Sequence, residues 1–209
     1  RRAPWYSQSV LATPAANPCR AGWMSRAWAT QTGTTGSESM PLLAVASRQP
    51  ANLLGNTQAL VMPSPTDFAL NTGAWQWQPY RSGLPAGTKG VNETLAALWA
   101  GQTGTELSGQ RADNALRVIG SQAYTSTLPA GWPTTTFARH LWTIAQSLRF
   151  NLGLRFVTVD LGGWDTHDGQ GTAGRHSSYY QNKIAELSQA LTAFYTELSN
   201  GGEMARVTV

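Results

Sequence analysis

Gly162-Gly163-Trp164-Asp165-Thr166-His167 brings a carboxylate and an imidazole two residues apart, directly after a pair of glycines. The run before it, Arg155-Phe156-Val157-Thr158-Val159-Asp160-Leu161, reads as a buried strand. The glycines allow a sharp backbone turn at the end of that strand. In open α/β sheets, ligands bind just past the carboxyl ends of strands. Asp165 and His167 therefore stand where a metal or substrate site is expected. An oxygen and a nitrogen donor on one side of an extended loop suit a divalent metal ion such as zinc, manganese or calcium. Two protein ligands do not hold an ion stably, so others must converge, and Asp160, Asp168 and His176 are the nearby candidates. The bland alternative is a turn in which Asp165 caps the backbone and His167 only hydrogen-bonds.

The elements that must position this loop lie in the C-terminal third. Thr134-Thr135-Thr136 offer N-caps after Pro133, and Phe137, Leu141, Ile144 and Leu148 recur at helical spacing. Asn151 and Gly153 provide a stop. Residues 154–161 form an apolar run with little alternation, as parallel strands covered on both faces do. A loop of small and polar residues spans 162 to about 176. Tyr180, Ile184, Leu187, Leu191, Phe194 and Leu198 then form one apolar stripe on a helix capped by Ser177 or Ser178 and ended by Asn200-Gly201-Gly202. Residues 205–209 are expected to begin another strand, so that the order helix, strand, helix, strand predicts a right-handed βαβ crossover in a parallel sheet. In the front half, residues 42–47 suggest a short core strand. Residues 63–90 read as an irregular excursion containing four of the eleven prolines. Residues 92–100 and 105–124 suggest two helices, the second burying Leu107, Ala115, Leu116 and Ile119.

Composition narrows the function classes. A chain of 209 residues with 41% hydrophobic and 12% charged residues is globular rather than disordered and long enough to hold one ordinary domain. The net charge of +4 comes from scattered arginines and only two lysines, which is no basic stripe, so nucleic acid is not an expected partner. Cys19 stands alone, which rules out an intrachain disulfide and a cysteine metal site. The apolar runs are far too short for a transmembrane segment. Arg1-Arg2 is not followed by an apolar stretch and is not read as an export signal. Both ends read as cut: there is no initial Met, and Val207-Thr208-Val209 falls inside an expected core strand, so the chain is expected to be a fragment. His140 falls within a helical pattern and is read as surface or packing. No serine sits in a Gly-x-Ser-x-Gly elbow, and no phosphate-binding glycine loop occurs. Trp75, Trp77 and Trp164 have the chemistry to stack on sugar rings, although tryptophans chiefly fill packing positions.

The stretch from Gly153 to His167, followed by the amphipathic helix and Arg206-Val207-Thr208-Val209, resembles the domain-of-unknown-function 1501 family. This bacterial group belongs to the alkaline phosphatase and sulfatase superfamily, and many of its members carry twin-arginine export signals. Ala21-Gly22-Trp23-Met24-Ser25-Arg26 is similar to the family's Gly-Trp-Leu-x-Arg segment, and Leu54-Gly55 and Asp67-Phe68 fall in a familiar order. The resemblance implies a three-layer α/β/α sandwich with a mostly parallel sheet, present here as one incomplete domain over residues 1–209 whose core is 134–209. It implies a periplasmic or otherwise extracytoplasmic protein that hydrolyses phosphate or sulfate esters of small molecules or glycans, with Asp165 and His167 as metal ligands. The chain departs from the family in two places. The family's Ser-Glu-Phe-Gly-Arg and Asp-His-Gly motifs would fall after Val209. Ala3 and Pro4 stand where its Arg-Ser-His-Phe-Asp-x-Gln segment has Ser and His, so no catalytic nucleophile is assigned. The alternative is a non-catalytic envelope or glycan-binding protein that retains the fold.

Overall fold

The computed structural model describes residues 21–33, 38–56, 58–65, 91–171 and 178–209. Within them the chain forms a mixed α/β architecture of five α-helices and three strands. The helices are α1 (Trp23–Ala29), α2 (Val91–Leu98), α3 (Gly104–Gly120), α4 (Thr136–Arg149) and α5 (Tyr179–Gly201), and the strands are β1 (Leu42–Val45), β2 (Ala59–Val61) and β3 (Phe156–Val159). The strands make an open, all-parallel sheet in the order β2-β1-β3. Leu42 is in register with Ala59 on one side and Phe156 on the other.

The centre of the sheet is β1. Its four residues, Leu-Leu-Ala-Val, carry no polar side chain, and each is at most 1% exposed. Alternate residues face opposite ways. Leu43 and Val45 join Phe137, Leu141, Ile144, Phe194 and Leu198, whereas Leu42 and Ala44 join Met24, Trp28 and Leu53. Helices α4 and α5 therefore cover one face, and α1 with the short 3-10 turn Ala51–Leu53 covers the other. Backbone bonds extend this frame beyond the ladder. Met40 donates to the Leu152 carbonyl at 2.9 Å, and Arg155 donates to Pro41 at 2.9 Å.

Helix α4 begins as its sequence predicts, with the Thr135 hydroxyl accepting from the Ala138 N–H at 3.2 Å. Its buried polar residues Thr143, Gln146 and Ser147 are all hydrogen-bonded. Gln146 accepts from the Thr125 N–H at 2.7 Å and donates back to the Thr125 carbonyl at 3.1 Å. Trp142 donates to that same carbonyl, and the Ser147 and Tyr124 hydroxyls lie 2.8 Å apart. Burial pushes the Tyr124 phenol up from its ordinary pKa. These bonds tie the loop 121–128 to α4, and α3 buries Ala115, Leu116 and Ile119, the last of them in the same core cluster as α4.

Three expectations are corrected. The strand expected over 154–161 is confined to 156–159 and is half-buried rather than buried, because β3 lies at the sheet's edge with β1 as its one neighbour among the described residues. The stripe on α5 is buried only toward its C-terminal end, at Ala190, Phe194 and Leu198, while Tyr180 and Ile184 are exposed. Residues 205–209 form no strand. Gly202 adopts a left-handed φ of 79° and sends the chain into a 3-10 turn, Glu203–Arg206. That turn folds back on the end of α4: the Glu203 carboxylate lies 3.5 Å from the Arg149 guanidinium, and Arg206 donates to the Leu148 carbonyl at 3.2 Å. Val207 is extended, but its N–H bonds to Met204 rather than to a strand. The expected βαβ crossover is thus not completed within the described residues. Most of the irregular excursion, 66–90, lies outside them.

Candidate functional site

The loop 160–171 leaves the carboxyl end of β3, the end at which ligands gather in parallel sheets. Glycines shape it. Gly163 has a φ of +87°, and a Cβ there would lie 2.6 Å from the Tyr179 hydroxyl and 3.0 Å from Lys183 Cε. Gly171, at φ +92°, would put a Cβ 2.1 Å from that of Ser178. Only residues without side chains let the loop lie this close on the first turns of α5. Helix α5 is capped by Ser178 in a reciprocal box with Gln181, whose side-chain oxygen accepts from the Ser178 N–H at 3.3 Å. Lys183 is paired with Glu186 at 2.8 Å, which raises its pKa.

Asp165 and His167 come together in this loop. Asp165 Oδ1 lies 3.3 Å from His167 Nε2, with the side chains 82% and 83% exposed respectively. His167 starts the 3-10 turn His167–Gln170 at a φ of +43°, a left-handed conformation uncommon outside glycine. Such strain costs about 1–3 kcal/mol and collects at binding and catalytic sites. Donors bonded to one ion at about 2.1 Å with tetrahedral angles stand roughly 3.4 Å apart. The separation suits a direct contact between the two side chains as well as a shared divalent ion, and the donor number falls short of an ion site: among the described residues no third His, Cys, Asp or Glu joins the pair. Asp160 is exposed and stays outside it. The Asp168 side chain and His176 lie outside the described residues.

Trp164, between the glycines and Asp165, is held in place by its indole N–H, which donates to the Leu161 carbonyl at 2.6 Å. The Tyr180 ring stands against it at 71°, with centroids 6.2 Å apart. Trp28, Trp132 and Trp142 are buried in packing positions, while Trp75 and Trp77 lie outside the described residues. The segment Gly22-Trp23-Met24-Ser25-Arg26 is mainly structural. A Cβ on Gly22 would collide with the Asn52 backbone at 2.2 Å, the Gly22 N–H donates to Leu54, and Met24 is buried.

Two cavities carry no sequence motif. The larger, about 550 Å³, lies at the amino ends of the strands and is lined by Glu38, Gln49, Asn56, Gln58, Arg111 and Asn114. It gathers amides from distant segments, and no spacing rule announces such a set. The smaller, about 270 Å³, follows β2 and is lined by Pro63, Ser64, Thr125, Arg139, His140 and Thr143. His140 is half-buried there, its Nδ1 has no hydrogen-bond partner among the described residues, and burial lowers its pKa.

No helix among the described residues is long and apolar enough to cross a membrane. No family model, curated protein or solved structure shows a significant match to the chain.

Proposed function

We propose that the loop after β3 forms part of the metal-assisted site of an exported, alkaline-phosphatase-like hydrolase of phosphate or sulfate esters, in a chain built on a three-layer α/β/α sandwich. The observation that carries this reading is the 3.3 Å approach of Asp165 and His167 at the carboxyl edge of an all-parallel sheet. Helices on both faces of β1 support the sandwich. The resemblance of Gly153–His167 to the domain-of-unknown-function 1501 family supports the reaction class, the divalent ion and a periplasmic setting. Fold alone would not specify them.

In this reading Asp165 supplies a carboxylate oxygen and His167 Nε2 an imidazole nitrogen to the ion, in company with further donors. A bound divalent ion would polarise the ester and offset charge on the attacking and leaving oxygens. The chain's own contribution is orientation. The left-handed turn at His167 aims the imidazole toward Asp165, and Gly163 and Gly171 press the loop onto α5 so that the two donors keep their spacing.

The test is metal content and turnover. The chain is expected to bind zinc or manganese, with Asp165→Asn and His167→Ala each weakening binding by about tenfold or more, by analogy with losses at metal sites whose supporting contacts are removed. Stoichiometric metal in both variants, measured by mass spectrometry after dialysis, would refute the ligand assignment. Aryl phosphate and aryl sulfate turnover on the same preparations separates the hydrolase from a glycan binder, for which no release of aryl alcohol is expected.

A further inference from the structure

We propose that the ester processed at this loop is carried on a sugar, whose ring rests in the corner between Trp164 and Tyr180 and turns its hydroxyls toward Asp165 and His167. The ester rests on the function proposed above, whereas the ring-binding corner stands on its own geometry.

Four observations converge on it. First, Trp164 is 39% exposed and Tyr180 37%, although three other tryptophans are buried in packing positions, so the core does not account for this aromatic pair. Second, the indole is immobilised before any ligand arrives. Its N–H is committed to the Leu161 carbonyl, and the Tyr180 ring braces it. An aromatic group already held in one orientation loses little freedom on binding. Third, rings at 71° form two walls of a corner rather than a flat plate. A flat apolar face can lie on one wall while its rim meets the other. Fourth, the polar partners are adjacent in the chain and fully available, since Asp165 and His167 each keep more than four-fifths of their side-chain surface open.

A pyranose has the complementary chemistry. Its C–H face is apolar and its rim carries neighbouring hydroxyls, which act as donors to a carboxylate and partners to an imidazole. A lipid surface does not fit, because it would carry the exposed Asp165 carboxylate and His167 imidazole out of water and into acyl chains. A simple aryl ester fills the aromatic corner but offers no hydroxyls to the polar pair. The corner therefore distinguishes sugar esters from the aryl esters that a bare hydrolytic site would accept equally.

The test uses the chain labelled with 5-fluorotryptophan, in which the Trp164 fluorine resonance is the one that disappears in Trp164→Phe. A hexose, its 6-phosphate, inorganic phosphate and 4-nitrophenyl phosphate are titrated separately, in EDTA and with zinc. The expected result is a Trp164 shift with the hexose and the hexose phosphate, in EDTA as well as with zinc. Trp164→Ala should weaken hexose phosphate binding by about tenfold or more, and Trp164→Phe, which keeps a ring, should retain most of it. A Trp164 resonance unmoved by both sugars, or a Trp164→Ala variant that binds hexose phosphate as before, overturns the proposal even if metal binding at Asp165 and His167 is intact. A Trp164 response to the hexose that persists in EDTA supports the corner even if zinc binding and turnover fail, which would remove the hydrolase reading alone.

Discussion

Strand β1 and the loop 160–171 are neighbours in the sheet architecture but opposites in physical character. The four residues of β1 are at most 1% exposed and have apolar partners on both faces. The Asp165 and His167 side chains in the loop are more than 80% exposed and lie 3.3 Å apart. The strand is held by burial, which is non-directional and tolerant of small errors in position. The loop is held by a few directional devices: two glycines that admit close approach, one indole hydrogen bond and a left-handed histidine. A rigid core can thus carry a loop whose shape is set by a few directional contacts rather than by burial.

This contrast can be broken first at the core. Leu43→Ala would empty a fully buried position in the core cluster that β1 shares with α4 and α5, and a loss of about 3 kcal/mol is expected in denaturant unfolding. A loss under 1 kcal/mol would mean that β1 is not the structural centre. The next effect should stay in the loop. Gly171→Ala meets the Ser178 Cβ and forces a left-handed residue to carry a side chain, at about 1–3 kcal/mol. Amides of 160–171 should then exchange faster with solvent while those of β1 and α4 stay protected. Faster exchange in β1 as well would show that loop and core open as one unit. The smallest effect concerns His140, on the core helix but facing the cavity after β2. Its native pKa lies below the ordinary 6.5 because burial disfavours the charged ring. The unfolded chain therefore binds this proton more readily, and stability should fall as pH drops from about 6.5 through the lower native value. Replacing it, as His140→Gln, should flatten that part of the stability profile. An unchanged slope between pH 7 and 5 would show that another group governs it.

The contrast also explains how much of the fold is legible in the sequence alone. Helices α4 and α5 were readable because an apolar stripe every three or four residues is a local property, as are the caps at Thr135 and Ser178. The helices α2 and α3 were readable for the same reason, within a few residues at their ends. The short apolar run at 42–47 was recognisable as a strand, but nothing local marked it as the central one. Conversely, 154–161 had the more convincing strand pattern and lies at the edge. Position in a sheet depends on which distant segments pair, and β1 meets partners from residues 59 and 156 onward. Val207-Thr208-Val209 has strand composition, yet the Arg149 and Glu203 contact turns the preceding residues back on α4.

The candidate site divides in the same way. Residue types and spacing placed Asp165 and His167 in a glycine-led turn after a strand, because turn chemistry and β propensity act over a few residues. Their 3.3 Å approach and their exposure are features of the folded loop, and the corner that Trp164 forms with Tyr180 arises from a contact between the loop and α5. Local periodicity says which face of an element is apolar, but only long-range packing says what that face meets, since burial is a property of two surfaces rather than one.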